Sequence, residues 1–129
     1  MNAETTTLPC AEGQMLIVDD HGPILRALSA RCQHAGLNVH TAKDAGTAIA
    51  VALSSKPKYA ILDINMPGLS GFELAVRLKE LLPDLRFAFL TASQDWSYAQ
   101  HAMSLGATGL FHKPVDSREV LANLLDEND

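Results

Sequence analysis

The chain alternates five times between a short apolar run and a longer segment whose apolar residues recur at helical spacing. The runs are MLIV (15–18), LNVH (37–40), YAIL (59–62), RFAFL (86–90) and GLFH (109–112). Each is bounded by turn-forming residues and too short for a helix, so each reads as a strand. Helices are expected over 22–35, from an N-cap at Asp44 to about Leu53, over about 72–81, over about 95–105, and over 117–126. The first would bury Ile24, Leu25, Leu28, Cys32 and Ala35, with Pro23 tolerated in its first turn and Gly36 as its stop. Pro83 stops the third. The fourth sets Ala99, Ala102 and Met103 toward the core and leaves Trp96 and Leu105 off that stripe as partner-contact candidates. Asp116 and Glu119 resemble a capping box at the start of the fifth. Strands alternating with helices imply a parallel sheet covered on both faces, an α/β class with no internal repeat and no linker. The strand order is not visible in this pattern.

Bulk properties narrow the function. At 129 residues and 47% hydrophobic content the chain is about one domain with a real core. A formal net charge of −5 excludes a broadly basic face, so no direct nucleic-acid partner is expected. AIAVAL (48–53) is the longest apolar run, too short to span a bilayer, and the first residues show neither a basic start nor an apolar stretch. Residues 1–14 are polar and read as a flexible extension ahead of a single domain over 15–127. Cys10 and Cys32 have no metal-ligand partner at suitable spacing and suggest a reduced, cytoplasmic protein without a disulfide framework.

The polar residues fall at strand ends. Asp19 and Asp20 end the first strand, Asp63 the third, Thr91 the fourth and Lys113 the fifth. Any one of them alone is equally a turn former, a cap or a solvated charge. Together they occupy the carboxyl ends of parallel strands, where open α/β sheets bind ligands. Three carboxylates about 4–6 Å apart would repel by roughly 3–4 kcal/mol per pair at an effective dielectric near 20. Lys113 neutralises one charge, and a hard divalent ion such as Mg2+ (or Mn2+) would neutralise the remaining two through oxygen ligands. A metal, a carboxylate, a lysine and a hydroxyl form a phosphoryl-transfer site, in which positioning and charge neutralisation supply the chemistry. Asp63 stands alone on its strand facing the pair and is the candidate nucleophile.

IVDD, LDINMPGLSGFEL, LTA and GATGLFHKP resemble the receiver domains of bacterial two-component response regulators, over about residues 15–126. The resemblance implies a flavodoxin-like fold with strand order 2-1-3-4-5. It makes Asp63 the phosphoacceptor, charged from a phosphohistidine on a sensor histidine kinase or phosphotransfer protein. It makes Asp20 a direct metal ligand, Asp19 a water-mediated one, and the backbone carbonyl of Asn65 a further ligand. Thr91 becomes the switch hydroxyl and Lys113 the phosphoryl-binding lysine, with a cis Lys113–Pro114 peptide bond. The fourth helix, fifth strand and fifth helix become the surface offered to an output domain or a second copy. Leu110 departs from the pattern, which has Tyr or Phe there; Phe111 should point to the opposite face of the sheet. Asn65 and Ser93, each two residues beyond a site residue, are neither strong bases nor acids, so a phosphoaspartate here should not be unusually short-lived.

Two other classes use related parts. A haloacid-dehalogenase-like phosphatase also combines a strand-end Asp with Mg2+, Thr and Lys, but it needs a second Asp where this chain has Asn65. A flavodoxin would end its first strand in a phosphate-binding loop rather than in Asp19-Asp20. Of the five histidines, His101 lies on a helix, where a surface role is expected, and His21 lies beside Asp20 at the rim of the site.

Overall fold

The computed structural model describes residues 13–126. Cys10 and nearly all of the expected extension therefore lie outside the described residues, as does the end of the expected domain at 127. The element order is β1 (Gln14–Val18), α1 (Gly22–His34), β2 (Asn38–Ala42), α2 (Ala45–Ser55), β3 (Tyr59–Asp63), α3 (Gly71–Leu81), β4 (Arg86–Thr91), α4 (Ser97–Ser104), β5 (Gly109–His112) and α5 (Ser117–Leu125). Five parallel strands run in the order β2-β1-β3-β4-β5, the flavodoxin-like order that the resemblance implies. No helix among the described residues is long and apolar enough to cross a membrane.

Strand alternation divides the core between the two faces of the sheet. Leu16, Val18, Ala60, Leu62, Phe87 and Phe89 point toward α2, α3 and α4. Met15, Ile17, Tyr59, Ile61, Ala88 and Leu90 point toward α1 and α5. The central strands β1, β3 and β4 are nearly continuous apolar runs because both their faces are covered. The edge strands β2 and β5 are only half-buried.

Several boundaries differ from the sequence reading for local reasons. Gln14 belongs to β1, where it pairs with Asn38, rather than to the extension. The second strand runs to Ala42 instead of His40, and Leu37 is a buried residue ahead of it. The helix α3 begins at Gly71, capped by a full capping box in which Ser70 and Glu73 exchange bonds. At α5 the Asp116 carboxylate accepts from the Arg118 N–H, and no return bond from the Glu119 side chain forms. Asp44 caps α2 as expected, accepting from Thr47 N at 2.7 Å.

The fourth helix needs the largest correction. Asp95 folds into a turn, its carboxylate accepting from Ser97 N–H at 3.0 Å and Ser97 O–H at 2.7 Å, so α4 starts only at Ser97. Its inward stripe is Tyr98, Ala102 and Leu105, at i, i+4 and i+7. Met103 lies one residue off this stripe and is 64% exposed, not core. Leu105, expected to be free for partners, packs against the core instead. Trp96 is 74% exposed, as read.

Candidate functional site

The topology places the site. Chain winding reverses between β1 and β3, so the loops after them diverge and leave a crevice at the carboxyl end of the sheet. Asp19 continues β1 by donating its N–H to Ala42 O at 3.1 Å. Asp63 is the last residue of β3 and pairs with Leu90, while Ile64 N–H donates to Leu90 O at 3.0 Å. Thr91 follows at the end of β4, and its carbonyl accepts the Lys113 N–H at 2.8 Å. These ladder bonds bring four strand ends from across the sequence to one mouth.

Asp19, Asp20 and Asp63 come together there, each offering a carboxylate oxygen within 4.8 Å of the others. Asp19 and Asp63 are buried and Asp20 is exposed, so the cluster opens toward solvent on the Asp20 side. Lys113 Nζ reaches across from beyond β5, 3.1 Å from Asp19 Oδ2 and 3.4 Å from Asp63 Oδ1. His21 N–H donates to Asp19 Oδ1 at 2.8 Å, which places His21 at the rim as the sequence suggested. Thr91 is fully buried, and its hydroxyl oxygen accepts the Ser93 N–H at 3.0 Å. Asn65 is exposed beside the mouth, with its backbone N–H turned to the Asp63 carboxylate. The Lys113–Pro114 peptide bond is cis.

The electrostatics are under-compensated. Three carboxylates face one ammonium group, leaving a formal −2. Burial, and then the neighbouring Asp19 charge, push the Asp63 carboxyl up to about 6; Lys113 and the Asn65 N–H offset this only in part. Asp19 Oδ2 is buried and is met only by the Lys113 ammonium at 3.1 Å, which donates its hydrogen bond to the other oxygen, Oδ1, at 3.4 Å. One ammonium shared between two buried carboxylates leaves part of their desolvation cost uncompensated, which a second cation would offset. The donor set is all oxygen, carries surplus negative charge and opens to solvent on one side. That fits a hard divalent cation retaining some water.

Gly71 opens α3, one residue ahead of the helix expected over about 72–81. A Cβ there would run into the carbonyl oxygen of Asp63 and come within 2.8 Å of Ile64 Cα. Its N–H donates to Ile64 O at 2.8 Å, so the start of α3 rests directly on the backbone that carries Asp63. The glycine in LSGFEL is the signal, but the approach of a helix start to the strand end at Asp63 has no local signature.

Leu110 lies beside Phe89 in the β4–β5 register, half-buried against the α4 side of the core, while Phe111 packs on the opposite face as strand alternation predicted. The aromatic residues nearby belong to other elements. Phe72 of α3 meets Phe89 of β4 at 5.0 Å, and Tyr98 and His101 of α4 at 5.5 and 4.4 Å between ring centroids. His101 is otherwise exposed.

Comparisons with known proteins agree with this fold. The family described as "Response regulator receiver domain" matches residues 15–125. The chain is similar to the photosynthetic apparatus regulatory protein RegA of Cereibacter sphaeroides, 32% identical over 115 residues that make up 89% of this chain and 62% of that protein. It thus spans less than two thirds of this curated relative. Among solved structures it is similar to the chemotaxis protein CheY4 of Vibrio cholerae, with a TM-score of 0.80, 31% identity, and coverage of 88% of this chain and 97% of that one. A response regulator protein from Burkholderia pseudomallei, solved with a phosphorylated aspartic acid, a calcium ion and citrate, has a TM-score of 0.80 and 26% identity; the match covers 88% of this chain and 66% of that one.

Proposed function

The chain belongs to the response regulator receiver domain family, and from that premise we propose that Asp63 accepts a phosphoryl group from a phosphohistidine on a sensor histidine kinase or phosphotransfer protein. One observation carries the reading: a buried strand-end carboxylate stands 3.4 Å from Lys113 and within 4.8 Å of two further carboxylates whose surplus charge calls for a cation. The relative from Burkholderia pseudomallei, with its phosphorylated aspartic acid and calcium ion, supports the assignment.

In the proposed step an Asp63 carboxylate oxygen attacks phosphorus. The P–O bond forms as the P–N bond to the donor imidazole breaks, and that nitrogen keeps the electron pair and takes up a proton. Asp19, Asp20, Asp63 and the backbone carbonyl of Asn65 would hold Mg2+ or Mn2+, which when bound neutralises the carboxylates and the phosphoryl oxygens. Lys113 takes a phosphoryl oxygen by exchanging its carboxylate contacts for it, and the Thr91 hydroxyl donates to another. The only chemistry assigned to the chain acts on its own Asp63, and Asn65 supplies no carboxyl for a phosphatase mechanism.

Charge-assisted bonds of about 1.5–3 kcal/mol each, made by Thr91 and Lys113 in one conformer alone, would bias the domain by roughly 3–5 kcal/mol. The surface so biased is α4, β5 and α5, offered to an output domain or a second copy. Leu110 takes part by packing only. The test is incubation with acetyl phosphate and Mg2+ followed by intact mass measurement. Wild type should gain one phosphoryl group, while Asp63→Asn and EDTA-treated wild type should gain none. Equal labelling of Asp63→Asn would sink the assignment.

A further inference from the structure

Four residues at spacing two lead from the site to α4, and each is tied to the next. Thr91 Oγ1 accepts the Ser93 N–H at 3.0 Å, and Ser93 Oγ accepts the Asp95 N–H at 3.0 Å. Asp95 Oδ1 then accepts the Ser97 N–H at 3.0 Å and the Ser97 O–H at 2.7 Å. In each link a side-chain oxygen takes the backbone N–H two residues on, the turn that Thr, Ser and Asp favour. Three such turns in succession form a ladder from the end of β4 to the first turn of α4. The residues between its rungs, Ala92, Gln94 and Trp96, are exposed.

The ladder is anchored at both ends. Thr91 is fixed by its backbone in β4, where its carbonyl holds the Lys113 N–H at 2.8 Å, so its hydroxyl is the part that can turn. Among the described residues the Ser93 N–H is the one hydrogen-bond partner of that hydroxyl. At the far end α4 starts on Asp95. The Asp95 carboxylate takes the Ser97 N–H and its carbonyl takes the Tyr98 N–H at 3.1 Å, while Trp96 makes no side-chain cap. The bonds from Ser97 hold the Asp95 carboxyl below its ordinary range.

The helices on this side of the molecule are fastened unequally. α4 buries only Ala102 fully. In α5, Asn123 accepts from Thr108 Oγ1 at 2.7 Å and donates back to Thr108 O at 3.0 Å, and Arg86 holds the Leu124 carbonyl at 2.8 Å. A perturbation arriving from the site therefore finds α4 the more compliant element.

We propose that Ser93 and Asp95 are positioning residues that couple the Thr91 hydroxyl to the start of α4. When the hydroxyl turns to a phosphoryl oxygen it gives up the Ser93 N–H, the loop loses its first link, and the Asp95 cap shifts with it. This coupling rests on the phosphoacceptor reading for what turns Thr91, and it narrows the responding surface to α4. It also exists in the unphosphorylated chain, where it is tested separately.

Amide hydrogen exchange of the full chain, read by mass spectrometry over residues 97–104, provides the test. Without acetyl phosphate, Thr91→Val and Asp95→Ala should each speed this exchange by about fivefold. The double variant should exceed Asp95→Ala by less than about twofold, because both substitutions break one ladder. Effects that multiply in the double variant overturn the proposal, as does an equal effect of Gln94→Ala. With acetyl phosphate and Mg2+, wild type carrying one phosphoryl group should change its exchange over 97–104 by about fivefold and over 117–125 by less than about twofold. At the same phosphoryl load Asp95→Ala should lose the change, and Asp95→Asn, which keeps an acceptor oxygen, should restore it. A merely structural Asp95 would shift both states alike and leave the difference between them intact, which also overturns the proposal. If wild type takes up no phosphoryl group, the phosphoacceptor reading fails and the Thr91→Val/Asp95→Ala series decides the coupling alone.

Discussion

The Asp63 carboxyl, pushed from 3.8 to about 6 by burial and by Asp19, makes this residue a source of pH-dependent instability as well as the proposed acceptor. Its proton is held more tightly folded than unfolded. The stabilising contribution is therefore complete below about pH 4 and is lost as pH rises through about 6. At about 1.4 kcal/mol per unit, the loss in metal-free protein is at most about 3 kcal/mol. In urea titrations with EDTA, Asp63→Asn should be more stable than wild type by about 1–3 kcal/mol at pH 7.5, with the gap closing by pH 4. A gap of equal size at both pH values would show that charge is not its source. Gly71→Ala should cost about 1–3 kcal/mol, since the new Cβ meets backbone rather than a yielding side chain. It should also slow phosphorylation from acetyl phosphate by displacing the Asp63 backbone. The polar cluster was legible because Asp19, Asp63, Thr91 and Lys113 each follow an apolar run directly and Asp20 follows Asp19. Gly71 was not, because its constraint comes from contact with a strand several residues back and not from its own turn.

Elements differ in how firmly they are tied to the sheet, and sequence periodicity conveys this unevenly. The fifth helix is pinned by Arg86, whose guanidinium donates to Leu124 O at 2.8 Å and Asp126 O at 2.7 Å, satisfying carbonyls at the helix end. Arg86 reads in sequence as merely the first residue of a strand, because the cap joins residues about forty apart. Arg86→Met should lower stability by about 1–3 kcal/mol and accelerate amide exchange at the end of α5 ahead of its first turn. By contrast, α4 buries only Ala102 fully. With eight residues, a short stripe can be drawn through Met103 or through Leu105, and only packing against the core, with Tyr98 set against Phe72, selects the latter. The corrected register predicts opposite outcomes for adjacent residues. Met103→Ala should change stability by less than about 0.5 kcal/mol, whereas Ala102→Leu, overfilling a closed site, should cost about 1–3 kcal/mol. Similar costs for the two would restore the periodicity-based stripe.

At the scale of the whole molecule, the sheet order makes a site from residues that are apart in sequence. The runs of β1, β3 and β4 are alike in length and apolarity, so nothing local orders them; the half-buried β2 and β5 betray only that they are edges. The order came from resemblance, and the structure bears it out. Its consequence is that acids at the ends of β1 and β3 become neighbours across the switch point, while one lysine from beyond β5 closes the other side. The native fold therefore concentrates charge that the unfolded chain disperses, and a cation that binds only this arrangement must stabilise it. At a Mg2+ concentration ten times its dissociation constant the gain is about 1.4 kcal/mol, worth several degrees of melting temperature for a domain of this size. The gain should be strong at pH 7.5 and fade below about pH 6, where Asp63 takes up its proton and the cluster loses a charge. Asp20→Asn, altering the exposed member of the cluster, should reduce the Mg2+ shift sharply while leaving the Mg2+-free melting temperature the same or higher. A shift of the same size in Asp20→Asn, or one reproduced by NaCl at matched ionic strength, would mean that magnesium acts as general screening and that the three carboxylates are not a metal site.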